Sequence, residues 1–158
     1  ILATLQFLRR MASSVEVRQL EAQEMAQDLR QSNIPALPSG VLVFIIEGPF
    51  FFAAADSLQR VLAIKHTQPH TIIIRLKWVP FIDVTGIKAL EKVVRELHSH
   101  GIRVLLSGAN EVVGGKLHRA GVVQLVGQEH NFKDFDQALR YVGQMTASNR
   151  VEALSSPD

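Results

Sequence analysis

Residues 78–90 read WVPFIDVTGIKAL. A carboxylate, a hydroxyl and a glycine (Asp83, Thr85 and Gly86) lie together between two apolar stretches. Upstream, TIIIRL (71–76) is a continuous apolar run, the pattern of a strand buried on both faces. Downstream, Ile87, Leu90, Val94 and Leu97 recur at helical spacing, and Gly101 supplies a stop. The polar residues therefore sit where a buried strand hands over to an amphipathic helix. Asp83 or Thr85 is a good N-cap, with the first free amides near Gly86 and Ile87. Ligands of open α/β sheets collect beyond the carboxyl ends of the strands, which is this place.

The same alternation extends in both directions. VLVFIIEG (41–48) and IRVLLSG (102–108) read as further buried strands, and VVQLV (122–126) as a last short one. Val15 and Val17 alternate with Glu16 and Arg18, which predicts a half-exposed edge strand within residues 13–21. Residues 22–40 are polar, with Pro35, Pro38 and Gly40, and read as a loop with at most one helical turn. Helices are predicted from the stripes Ala54, Leu58, Val61, Leu62 and Phe135, Ala138, Leu139, Val142, the first with an Asp56–Arg60 pair on its exposed side. A weaker one, capped by Asn110 and stopped by Gly121, carries two internal glycines. The expected fold is a single α/β domain: a central, mostly parallel sheet with an antiparallel edge strand, flanked by about four helices. The small, polar tail, residues 146–158, is expected to be disordered.

Composition narrows the function. The chain has 158 residues, 47% hydrophobic and 20% charged, enough for one domain with a real core. With no cysteine, disulfides, thiolate metal sites and cysteine catalysis are excluded. A net charge of +2 without any run of five basic residues is no nucleic-acid footprint. The chain begins with Ile and reads as a piece of something longer. The stretch ILATLQFLRRM, apolar and then closed by Arg9 and Arg10, fits either the cytoplasmic end of a membrane helix or an amphipathic helix on the domain's own surface.

Catalytic patterns are missing. Gly114 and Gly115 are not followed by Lys-Ser/Thr, so no P-loop is present, and no dinucleotide fingerprint or Gly-x-Ser-x-Gly elbow occurs. His98 and His100 lie two apart, on different helix faces, and His66 and His70 flank a loop without a nearby carboxylate, so no metal site is expected. No cofactor and no enzymatic activity are expected. Lys88, Lys92 and Arg95 form a basic rim that Glu91 and Glu96 partly neutralise.

These residues carry a family resemblance. FIDVTGIKAL resembles the Asp-Ser/x-Ser/Thr-Gly signature of STAS domains, the fold of bacterial anti-sigma factor antagonists. The position that matches the antagonists' phosphoacceptor is Thr85, flanked by Asp83 and Gly86, while Val84 departs from the usual Ser. EGPFFFAAADSL and LSGANEVVGGKLHRAGV resemble the branch attached to SulP-type anion permeases. The short link from His66 to Pro69, lacking the long insertion of vertebrate members, suggests a bacterial protein. The resemblance implies residues 1–12 as the end of the last membrane helix or a linker, 13–145 as the STAS domain, and the cytoplasmic side of the bacterial inner membrane. It further implies that the domain regulates transport of sulfate, bicarbonate or a dicarboxylate by contacts with the membrane portion of the same transporter. An acidic soluble protein and the anionic membrane surface are the further partners expected, and nucleic acid is not. The surface expected to make these contacts comprises Asp83, Val84, Thr85, Gly86, Lys88, Pro49, Phe50, Phe51, Ser107 and Gly108. Phe50, Phe51 and Phe52 cannot all face inward from an extended strand, so at least one should be exposed beside the helix start. A free-standing phospho-regulated switch is the alternative; a nucleotide-binding domain has only the fold in its favour.

Overall fold

The computed structural model describes residues 16–20, 23–48 and 69–155. Strand β1 is Glu16–Gln19, β2 Val41–Glu47, β3 Thr71–Trp78, β4 Arg103–Ser107 and β5 Asn131–Phe132. Helix α1 is Ala26–Gln31, α2 Val84–Ser99, α3 Glu111–Arg119, α4 Val122–Val126 and α5 Phe135–Ser155. The strands form one sheet in the order β1-β2-β3-β4-β5. Strands β2 to β5 are parallel, with Val41 opposite Thr71, Thr71 opposite Arg103 and Ser107 opposite Phe132. β1 lies antiparallel to β2, with Glu16 opposite Glu47.

The continuous apolar runs are explained by burial on two sides. Ile72, Ile74 and Leu76 of β3 join Leu90, Val94 and Leu97 of α2 on one face. The alternate residue Ile73 joins Leu29 of α1 and Leu139 and Val142 of α5 on the other. Side chains of a strand alternate in direction, so a strand covered on both sides needs apolar residues at every position. The β2–β3 register shifts between Ile45 and Glu47, so that Ile45 faces Arg75 but Glu47 faces Trp78. An irregularity of this kind re-aims the end of a strand, and the two residues that follow Leu76, Lys77 and Trp78, are exposed.

Two expectations are corrected. VVQLV is helix α4, not a strand. Gly121 and Gly127, at φ +82° and +94°, bracket it, and Val122, Val123 and Val126 fall on its buried side. A five-residue apolar run fits a strand or a helix turn equally well, and here packing against α2 and α3 decides. The last strand is instead β5, two residues long and without an apolar pattern. The tail expected to be disordered from residue 146 continues α5 as far as Ser155, with Val151 and Leu154 exposed along it. The stub at 1–12, the helix expected after residue 52, the His66–Pro69 link and the residues Pro49, Phe50, Phe51 and Phe52 lie wholly or mainly outside the described residues.

Candidate functional site

Asp83 caps α2. Its backbone is extended, and its Oδ1 accepts the Gly86 N–H at 2.7 Å, while its carbonyl accepts the Ile87 N–H at 2.9 Å. One of the helix's free amides is thereby satisfied by a carboxylate, the charge that the positive helix end favours. Thr85 stands two residues inside the cap, exposed to solvent, in the first turn. Val84 beside it is 68% exposed, and Lys88 is exposed one turn further on. Gly86 is buried against the body of the domain. A strand followed by a short loop thus delivers the Thr85 hydroxyl, accessible, to the amino end of a sixteen-residue helix.

The loop that positions this turn is held from α3. Asn110 Oδ1 accepts the Val113 N–H at 2.8 Å, capping α3, and its Nδ2 donates to the carbonyls of Val79 at 3.3 Å and Pro80 at 3.1 Å. Lys116 Nζ donates to the Ile82 carbonyl at 2.9 Å. Sequence reasoning recognised Asn110 only as a cap and did not single out Lys116, because the bonds span some thirty residues of chain. Trp78 and Phe81, 41% and 47% exposed, border the loop, and Val112, 60% exposed, stands on the adjoining turn of α3. These apolar side chains around Thr85 were not predicted either. Trp78 follows the register shift in β3 and Phe81 lies in the short loop, and neither feature leaves a periodic signal.

Two expected surface residues lie elsewhere. Ser107 is buried, and Gly108 half-buried. Gly108 has φ +77°, donates its amide to the Phe132 carbonyl at 3.1 Å, and packs so that a Cβ would come within 3.3 Å of Lys77 Cβ. They form the β4 exit, where Ser107 is closed to solvent. Ser107 sits in register with Arg75, an arginine buried in the central strand. The Arg75 guanidinium lies 3.9 Å from the Phe135 ring centroid, 4.9 Å from that of Trp78, and 3.7 Å from Asp28. Burial lowers its pKa and Asp28 pushes back. Arg75 therefore ties the starts of α1 and α5 to Trp78 through cation–π and charge contacts. In the basic rim, Arg95 is taken by Glu91 at 2.9 Å, which leaves Lys88 and Lys92 as its exposed lysines.

Among the described residues no cluster of three His, Asp or Glu side chains could hold a metal ion, and no helix is long and apolar enough to cross a membrane. A parallel sheet whose strand β3 leads through a short loop into a capped helix is the architecture of the STAS fold. The STAS domain family matches residues 36–138. The STAS domain of a SulP transporter from Vibrio cholerae is 44% identical, covering 83% of this chain and 98% of that one, with a TM-score of 0.68. A sulfate transporter family protein from Wolinella succinogenes is 36% identical over 73% of this chain and 94% of that one, with a TM-score of 0.66. The Bacillus subtilis protein YvdB, whose name places it among sulfate transporters, is 28% identical over 87% of this chain but 25% of its own length. The chain belongs to the STAS domains of SulP transporters, and spans about a quarter of the length of the Bacillus subtilis relative.

Proposed function

We propose that the chain is the cytoplasmic, C-terminal regulatory domain of a bacterial SulP-type transporter of sulfate, bicarbonate or a dicarboxylate, and that the start of α2 is its docking surface. The observation that carries this reading is exposed Thr85 on the Asp83-capped turn, with Val84 beside it and Phe81 in the loop before it both exposed, and with Trp78 and Val112 exposed on the elements that the loop joins or bonds to. Exposed apolar side chains around a polar centre are the composition of a protein contact surface. The membrane portion of the same transporter is the first partner. An acidic soluble protein, drawn by Lys88 and Lys92, is the second, and an anionic membrane surface lies within reach of the same lysines. The domain moves no anion and carries out no catalysis. It biases the transporter by binding two of its states unequally. Phosphorylation of Thr85 would add charge at the helix end and place it next to the Asp83 carboxylate, altering the surface without breaking the fold.

The test is transport by the full-length protein in proteoliposomes, comparing wild type with Thr85→Asp and Phe81→Ser. A coupling typical of allostery would change anion uptake at least about fivefold in one of them. Uptake unchanged in both, with the protein folded and inserted, would remove the docking surface from this helix start.

A further inference from the structure

The opposite edge of the sheet holds a second feature. At the amino ends of β3 and β4 the domain opens into a cleft of about 530 Å³, bordered by His70, His98, Arg103 and His130 with Met145 and Asn149 of α5. Among the described residues no carboxylate lines it. We propose that this cleft binds a small oxyanion of the sulfate or phosphate class, held by Arg103 and His98, with binding coupled to uptake of a proton.

The hydrogen bonds separate the groups that are committed from those that are available. His70 Nδ1 meets Thr71 Oγ1 at 2.9 Å and its Nε2 the Ser39 carbonyl at 3.0 Å, so both its nitrogens are engaged. His130 Nδ1 donates to the Val126 carbonyl at 2.6 Å, which leaves Nε2 to accept from the Tyr141 hydroxyl at 3.1 Å in the neutral ring. It therefore offers a ligand no free donor. The Arg103 guanidinium lies against Met145 Sδ, a neutral neighbour, and pairs with no carboxylate among the described residues. The His98 ring has no hydrogen-bond partner among the described residues. Arg103 and His98 are thus the cationic or titratable groups of the cleft with unused donors. A guanidinium presents a planar fork suited to two oxygens of one anion, and an imidazolium supplies a third contact.

Charges facing these groups set the direction of the proton coupling. His98, at the end of α2, is exposed at its surface yet held somewhat below its ordinary pKa, by partial desolvation first and by His130 second. The carbonyls ending α2 favour its proton, Arg103 at the start of β4 opposes it, and on the far side Glu129 lies 4.0 Å from His130 Nδ1. A doubly charged oxyanion would reverse the local balance and draw a proton onto His98, so binding tightens as pH falls. The fold builds the described lining of this pocket from four separate segments: the lead into β3, the α2–β4 turn, the turn before β5, and α5.

Sulfate is the right probe, since it stays doubly charged across the range in which histidine titrates and any pH effect then belongs to the protein. Titrating the 158-residue chain with sodium sulfate against sodium chloride of equal ionic strength, followed by calorimetry and histidine NMR, should give saturable binding. Affinity should rise up to about tenfold per pH unit above the His98 pKa as the solution is acidified. Arg103→Gln and His98→Asn, both exposed, should each weaken it, and His98→Asn should also flatten the pH dependence. No saturable sulfate effect beyond chloride, or binding that survives both substitutions, or an affinity independent of pH, would overturn the proposal. Its failure leaves the docking role of α2 untouched, because Thr85 lies at the other edge of the sheet.

Discussion

Asp83 and Thr85 have distinct jobs although two positions separate them. Asp83 is structural in its own helix, since its carboxylate accepts the Gly86 amide at 2.7 Å. Thr85 makes no such bond to a described residue and is free to meet another molecule. Asp83→Ala should therefore cost about 1 kcal/mol of stability, and Asp83→Asn much less, because asparagine caps as well as aspartate. Urea denaturation of the three proteins checks this ranking. Equal stability of the alanine variant would mean that the cap contributes nothing here. The Ser107 expectation fails at the same scale. A serine at the end of an apolar run can leave the sheet or stay in it, and only its pairing with Arg75 and Phe132 places it inside.

Among the elements, α3 matters less for its own packing than for what it holds. Asn110 and Lys116 fasten three of the four carbonyls between Val79 and Ile82, the loop that sets the start of α2. Lys116→Met keeps the side chain's bulk and removes the charged bond to the Ile82 carbonyl. It should cost roughly 1.5–3 kcal/mol, with faster amide exchange confined to the Val79–Ile87 stretch. A uniform rise in exchange across the domain would show that Lys116 supports the whole fold and not this loop. Helix α4 teaches the complementary lesson. Its apolar pattern is compatible with a strand, and two glycines in the left-hand half of conformational space turn it into a single helical turn under α2.

Across the whole molecule, the two edges of the sheet are chemically different. The carboxyl edge presents a hydroxyl, apolar side chains and exposed lysines; the amino edge gathers histidines around an arginine. Within the histidine edge, His98 should make stability depend on pH. His98 takes its proton later in the folded chain than in the unfolded one, where the value is 6.5. Above that pH both states are neutral and the group contributes no difference. As pH falls below it, the unfolded chain binds the proton first and stability declines until folded His98 is protonated too. Thermal or urea melts between about pH 7.5 and pH 5 should show this decline. His98→Gln should reduce it, and sulfate should oppose it if the cleft binds as proposed. A slope identical in His98→Gln would assign the acid sensitivity to another group.

Much of the fold was legible in the residues themselves. The runs at 41–48, 71–76 and 102–108 become β2, β3 and β4, and the stripe Leu90, Val94, Leu97 packs against them, because a doubly covered strand and a singly covered helix have different apolar periods. A cap at Asp83 or Thr85 was legible too, since capping depends on residues three apart, and the structure puts it at Asp83. The histidine cleft was not. His70, His98, Arg103 and His130 stand far apart in the chain, and His98 was discounted by its spacing from His100, a neighbour that plays no part in lining it.

The sequence alone determined the alternation of strand and helix and the polar turn that opens α2, since these follow from contacts within a few residues. The tertiary structure decided that Thr85 is open and Ser107 closed, that Asn110 and Lys116 hold the loop between them, and which side chains share a cleft. Burial and long-range pairing are properties of segments brought together in space, and local pattern carries no record of them.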